Sequence, residues 1–458
     1  MTGPGVLVLL ALVTAAVLVW TLPRWLPPAV IGLRQWVFAR VNGGEGIAVP
    51  GPLVGAEHFE RVYAHPAADG RSRGAGLSDL FWYWLSPGPH MHQEHLEPGE
   101  RYRTVARTTR RVLAVSQRRS TELAASAARR QLDRLPPERT SLVRLRDMML
   151  PIWAEVYYEL VFGEACPPDA RALIVANAAD VSSALKCSGL RHLGRRNRLT
   201  RYLRARVDAG TAPVVLPEPF TAQETAWYLH GAFFTTAVVQ MSEAMAHLLL
   251  AVAQHPPTQL AVRRALDGPA EAADELLDRV IDETLRVHPL FGVAHRITSA
   301  PIEVDAGTTL PAGSVLLFNY LAFQRTGPAA DDDFDPDRWL RLSRREAHFV
   351  PFGVTANRAC PARGVAPVMM RAATREVLRR YALVSSVRHD RSLPSRGPCF
   401  LLPAGSGEVG RLRLWLMRTE DRWADVWRSL VQLVLGSVMV LHARRLRLCA
   451  NHFDQAGR

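Results

Sequence analysis

Lysine is almost absent from this chain: Lys186 is the single one among 56 basic residues, against 43 acidic ones, for a net charge of +13. The basic character is therefore carried by arginine. Such a field favours an acidic partner or an anionic lipid surface over an acidic ligand met at random. Cysteine is sparse too. Five cysteines stand far apart, at 166, 187, 360, 399 and 449, and no C-x-x-C pair occurs. That excludes a disulfide framework and a zinc-finger module. No glycine-rich loop follows an extended run, which excludes the usual phosphate cradle of nucleotide-binding folds. No repeat with a period of 20 to 50 residues is visible, so a solenoid or propeller is excluded. What remains is a 458-residue globular chain, 48% hydrophobic and 22% charged, long enough for one large core.

One long apolar run stands out. Gly5 to Leu22 holds about 18 residues without a charge, roughly 27 Å of helix and close to the thickness of a bilayer core. No basic stretch precedes it and Arg24, Arg34 and Arg40 follow it, so it reads as a membrane anchor with the body on the cytoplasmic side. Pro23, Pro27 and Pro28 suggest a stiff hinge. Residues 1–28 are thus expected to be anchor and hinge, 29–410 the body, and 411–458 a C-terminal extension. In that extension Trp423, Trp427, Leu430, Val434, Val438 and Leu441 recur at steps of three and four, the pattern of an amphipathic helix. Its apolar face suits a membrane interface first and a partner helix second.

The body reads as mostly helical. Helical patterns lie at about 100–131, 139–163, 170–186, 191–207, 221–254, 258–267, 271–287 and 364–381, with extended pieces at 292–319 and 382–404. Many helices with a minor sheet make a mainly α fold with a small β-rich lobe. The longest helix opens on a capping box, Thr221-Ala-Gln-Glu224, and stops at Pro256. Its middle, HGAFFTTAVVQ, sets Gly231 and Ala232 beside Thr235 and Thr236, where something flat and broad could come close. Further on, Glu283 and Arg286 share one helix face at i,i+3, and Arg338 sits in the acidic turn FDPDRW.

The stretch HFVPFGVTANRACPARG, residues 348–364, holds Cys360 with Arg358 two positions before it and a helix start after it. A helix N-terminus and nearby cations favour the thiolate. A thiolate held in this way is a candidate axial ligand for haem iron. The other four cysteines read as structural.

In order and spacing, the chain from about residue 30 to 405 resembles the cytochrome P-450 family of haem-thiolate monooxygenases. The resemblance implies a triangular helical body and haem b, with Cys360 as iron ligand and Phe352 in the loop before it. It implies a bracing network of Glu283, Arg286 and Arg338. It implies propionate contacts from Arg358, Arg296 and either Arg103 or Arg107, and a distal threonine at Thr235 with Thr236 beside it. The function it implies is insertion of one oxygen atom of O2 into a lipophilic molecule, with electrons from a separate ferredoxin or flavoprotein reductase docking near Cys360. The alternatives are a haem-thiolate isomerase or dehydratase, and a non-catalytic haem protein. The family pattern is not matched throughout. Phe352 stands eight rather than seven residues before Cys360, Ala356 and Ala362 replace glycines, and Phe234 replaces the acid before the threonine. His230, four residues before Phe234, is the residue that could replace that acid through a water.

Two further clusters fit less well. His90, His92 and His95 could ligate a metal, but their spacing and the flanking proline are poor for it. Arg191, Arg195, Arg196, Arg198, Arg201, Arg204 and Arg206 interleave with leucines as one helix face. That favours a solvated or membrane-facing helix over a nucleic-acid grip.

Overall fold

The computed structural model describes residues 3–41, 46–88, 96–290, 292–389, 393 and 395–456. His90, His92 and His95 lie outside the described residues. The helices are α1 (Gly3–Val41), α2 (Phe59–Ala64), α3 (Gly76–Leu85), α4 (Glu100–Leu113), α5 (Gln117–Leu132), α6 (Leu145–Phe162), α7 (Pro168–Leu185) and α8 (Leu193–Asp208). Then follow α9 (Ala222–Leu229), α10 (Val238–Gln254), α11 (Pro256–Leu266), α12 (Ala270–Val287), α13 (Tyr320–Gln324), α14 (Ala366–Arg380), α15 (Arg411–Leu446) and α16 (Leu448–Ala456). Among the described residues the short strands are β1 (Ile47–Val49), β2 (Ser141–Arg144), β3 (Val293–Ile297), β4 (Ile302–Asp305), β5 (Thr308–Leu310), β6 (Val315–Asn319), β7 (Tyr381–Val384) and β8 (Pro398–Pro403).

The main core gathers on α6, which buries Trp153, Tyr157 and Tyr158 against the helix running from Ala222 to Gln254. That long helix is hydrophobic nearly all round, as a helix through the middle of a domain must be. Its start is fixed by the capping box: Thr221 Oγ1 accepts from Glu224 N, and Thr221 N donates to Glu224 Oε2 at 2.8 Å. Between α9 and α10, residues His230–Ala237 are wound as a π-helix. The wider turn re-phases every side chain beyond it, a feature that in other proteins often marks functional sites.

The β-rich lobe has its own small core. β1 pairs parallel with β6, β3 pairs antiparallel on the other side of β6, and β4–β5 form a separate hairpin. Phe59 of α2 stacks on Phe323 of α13 at 4.0 Å and meets Phe318 of β6 edge-on at 5.3 Å. A third sheet, β2-β8-β7, closes the far side of the main core.

Both ends of the chain depart from expectation. The three prolines do not break α1, which continues through Pro23, Pro27 and Pro28 to Val41. An apolar helix tolerates the lost hydrogen bonds where its other backbone groups stay paired within it. The extension is one 36-residue helix, α15, followed by α16. α15 lies along α1 and over α3 and α7, where Met439 and Ala443 bury against Leu80, Tyr83, Ala184 and Cys187. Gly436 permits this approach, since a Cβ there would sit 3.3 Å from Cys187 Sγ. Asp79 of α3 then caps α16, its Oδ1 accepting from Cys449 N at 2.8 Å and from Ala450 N at 3.3 Å.

Candidate functional site

One cavity gathers most of the residues singled out in the sequence. On one side stands the loop carrying Phe352, Arg358 and Cys360; on the other stand Gly231, Ala232, Phe233, Thr236 and Gln240 from the π-helix and its continuation. Tyr102 of α4, Tyr157 of α6, Phe81 of α3 and Arg296 of β3 complete the walls. Small residues on the long helix leave a slot broad enough for a flat group, because Gly231, Ala232, Ala237 and Ala244 all face it.

The cysteine loop is held from behind. Cys360 N donates to Phe352 O at 2.9 Å, and Gly353 adopts φ +76°, packed so closely on Tyr63 that a Cβ would lie 2.9 Å from its hydroxyl. Arg358 itself sits at φ 51°, in the left-handed region that costs a non-glycine residue energy. Asn357 fixes the turn by donating to the carbonyls of Tyr63 and Ala68, each at 2.8 Å. The helix after the loop does not begin where the sequence suggested. Turns occupy residues 361–365 and α14 starts only at Ala366, so Cys360 is not in the first helical turn. The loop's altered length, with Ala362 in place of glycine, accompanies that delay.

The charges around the cavity ask for an anion. Arg358 is half-buried, but both its terminal nitrogens are buried and lack a hydrogen-bond partner, and Arg296 Nε is likewise unpartnered. Burial pulls the Arg358 guanidinium down to about 10, with the Tyr102 ring beneath it at 4.0 Å opposing that shift. His295, beside them, is driven down to about 3 by burial and by Arg71, Arg296 and Arg358. Arg296 donates to Tyr63 Oη at 2.9 Å and to His295 O at 2.9 Å. Buried cations with idle donors are costly unless a negatively charged group meets them. Across the cavity, Tyr157 is wholly buried, and its hydroxyl is pushed up by burial and then by the charge of Cys360.

Behind the loop, Glu283, Arg286 and Arg338 come together. Glu283 accepts from Arg286 at 2.8 Å and 3.0 Å, Arg338 Nε lies 3.5 Å away, and Asp335 N donates to the same carboxylate at 2.9 Å. Arg286 reaches on to the carbonyls of Ala329, Asp331 and Asp333. The network therefore ties α12 to the acidic turn.

Several candidates are placed elsewhere. Thr235 turns away from the cavity and accepts from Asn177 Nδ2 of α7 at 3.0 Å; Thr236, one position on, faces it. His230 also turns away, toward Thr200 of α8 at 2.8 Å. Phe234 packs between Tyr158 and Phe162 of α6, and Phe233 is the phenylalanine that lines the cavity. The cause is the π-turn, which shifts the facing positions to 232, 236 and 240. Arg103 and Arg107 are exposed and pair with Glu100 on the outside of α4; Tyr102 is the residue that α4 turns inward. Among the arginines of this cluster, Arg191, just before α8, pairs with Asp180, Arg204 with Asp208 at 2.7 Å and Arg206 with Glu164 at 2.8 Å, while Arg195, Arg198 and Arg201 face outward. Arg71, Tyr102, Tyr157 and Gln240 were not singled out in the sequence. Only Gln240, at i+4 from Thr236, carried a periodic signal that could have found it.

A helical body with a small β lobe, built around a slot between a small-residue helix and a cysteine loop, is the architecture of haem-thiolate proteins. Residues 212–410 match the family model of cytochrome P-450. Cytochrome P-450 135B1 of Mycobacterium tuberculosis is 33% identical over 157 residues, 31% of this chain and 33% of that protein. Pentalenene oxygenase of Streptomyces avermitilis is 38% identical over 104 residues, 20% of this chain and 23% of that one. The similarity to these curated relatives thus spans a third of their length or less. A six-coordinated cytochrome P-450 of Thermus thermophilus shares the fold with a TM-score of 0.57 at 18% identity, covering 78% of this chain and 99% of that one. A retinoic-acid-bound cyanobacterial cytochrome P-450 gives 0.55 at 16% identity, covering 71% of this chain and 87% of that one. In sequence over residues 212–410, and in fold over most of its length, the chain is similar to the cytochrome P-450 family. The cofactor of that family is haem b held by a cysteine thiolate, and this cavity, with one cysteine in its wall and idle buried arginines beside it, fits such a dianionic macrocycle.

Proposed function

We propose that this chain is a haem-thiolate monooxygenase, inserting one oxygen atom of O2 into a lipophilic small molecule. The observation that carries the reading is the joint placement of Cys360 with the unpartnered donors of Arg358 and Arg296 on one cavity. Cys360 would supply the thiolate, and Arg358 and Arg296 would hold the two carboxylates of the macrocycle. When bound, that group supplies the oxidising chemistry, its thiolate ligand favouring O–O cleavage.

The remaining steps belong to the chain. Phe81, Leu113, Phe233, Met241 and Leu290 give the substrate side an apolar lining that excludes water and selects a hydrocarbon-like molecule. The pentalenene oxygenase among the relatives supports the same substrate class. Thr236 and Gln240, one turn apart on the cavity face, hold and pass the two protons that the reaction consumes as the second oxygen atom leaves as water. Glu283, Arg286 and Arg338 keep the floor of the site in place.

Electrons come from a separate acidic carrier. Arg103, Arg107 and Arg111 on the outer face of α4 supply the docking charge, one element away from Arg358. The body is held at a membrane with its catalytic part on the cytoplasmic side. α1 supplies the span: within Gly5–Arg34 an 18-residue stretch has mean hydropathy 2.6 and no buried residue. α15 lies beside it with Trp415, Trp423, Trp427, Val434 and Leu441 outward.

The test is a set of lipophilic compounds scored by Soret shift, followed by turnover under labelled O2. Incorporation of one labelled atom per product supports the proposal. A haem-thiolate isomerase or dehydratase would form unlabelled product, and a non-catalytic haem protein would show neither shift nor turnover.

A further inference from the structure

Three histidines from separate elements converge behind the cavity wall, away from the haem-binding residues. His247 is buried on α10, His288 is the C-cap of α12, and His389 follows β7. One nitrogen from each lies within 4.8 Å of the other two, and His247 Nδ1 is 2.9 Å from His389 Nε2. Two ring nitrogens on one tetrahedral zinc stand about 3.3 Å apart, as Zn–N bonds of about 2.0–2.1 Å require. The existing separation is close to that. His389 Nδ1 is buried and has no hydrogen-bond partner.

We propose that His247, His288 and His389 form a divalent-metal site suited to zinc, which ties α10, the end of α12 and the β7–β8 connection together. Three imidazoles with an open fourth position for water are a donor set that zinc takes readily. His288 and His389 are half-buried, so an ion has a route in from solvent. In this structure their rings stack at 3.4 Å and 15°. An imidazole lone pair lies in its ring plane, so binding turns these two rings edge-on toward a shared point. The two residues after His288, Pro289 and Leu290, line the cavity. An ion here would therefore stiffen the wall of the active site.

His255 is the natural control. Its Nδ1 already meets Ala251 O at 2.7 Å and its ring stacks on Phe334 at 4.3 Å. The experiment takes the full-length, haem-loaded, untagged protein, dialyses it against zinc sulfate and then against buffer, and counts zinc and iron per chain by elemental analysis. One zinc per chain is expected, with a higher melting temperature than after treatment with a chelator. His389→Asn and His288→Gln should each weaken zinc binding by about tenfold or more while iron content is kept, and His255→Gln should leave it unchanged. Two different variants guard against a single one that fails to fold. No retained zinc, or zinc lost instead when His90, His92 and His95 are replaced, overturns the proposal.

Discussion

Thr235 and Thr236 are neighbours in the chain, but only Thr236 reaches the cavity. Replacing Thr236 by alanine should therefore divert electrons to hydrogen peroxide, with product per electron donor falling severalfold. Thr235→Ala should instead loosen the contact between α7 and the long helix and leave coupling nearly intact. Measuring product formed against donor consumed in both variants separates them, and the opposite ranking would refute the placement. Glu283 is the other residue with a clear cost. It is fully buried and shared by Arg286, Arg338 and Asp335 N. Removing one member of such a buried pair costs about 3–5 kcal/mol, so Glu283→Ala should lower the melting temperature sharply and reduce haem retention. A variant that melts like the parent protein would contradict that role.

The elements were the more legible part of the sequence. Capping residues, prolines and apolar periodicity locate the long central helix and most of its neighbours, because those signals are local. The expected helix at 100–131 divides into α4 and α5, however, and the start of the expected helix at 139–163 becomes β2. The π-turn at His230–Ala237 leaves no composition signature, and it alone decides which threonine matters. The same limit hid Tyr102: on α4 the eye goes to the arginines, yet the ring turns in and the guanidinium groups turn out. At the chain ends, α15 and α16 gain their meaning from contacts with α1 and α3 that no local pattern announces. Two outcomes follow. Deleting residues 1–28 should weaken membrane attachment only in part, because the outward face of α15 remains; complete release into the soluble fraction would contradict the membrane role of α15. Asp79→Ala should cost about 1 kcal/mol, as loss of a helix cap does, and should alter substrate affinity through Phe81 on the same short helix. Unchanged stability and affinity would argue against that coupling.

Taken whole, the molecule concentrates its positive charge where a dianionic cofactor would neutralise it, and this gives it a characteristic response to acid. His295 lies at the centre of that region, facing Arg71, Arg296 and Arg358 and stacked on Phe81 at 5.2 Å. Its folded-state pKa, about 3, lies below the ordinary histidine value of 6.5. The unfolded chain therefore binds the extra proton first, and the stability held above about pH 6.5 is lost as pH falls toward 3. Thermal melts of the haem-free protein between pH 7.5 and 4.5 should show this loss, with a smaller slope in His295→Gln; parallel curves would remove His295 from the account. The order of the motifs along the sequence already pointed to this fold. What it could not supply was which arginines have idle donors, since that depends on neighbours distant in the chain. The central claim rests on Cys360, and the most direct measurement is the absorption spectrum of the reduced, carbon-monoxide-treated protein. The parent should give the red-shifted Soret band of thiolate ligation, and Cys360→Ser should lose it while Cys399→Ser keeps it. An unchanged band in Cys360→Ser, or its loss in Cys399→Ser alone, would contradict the assignment.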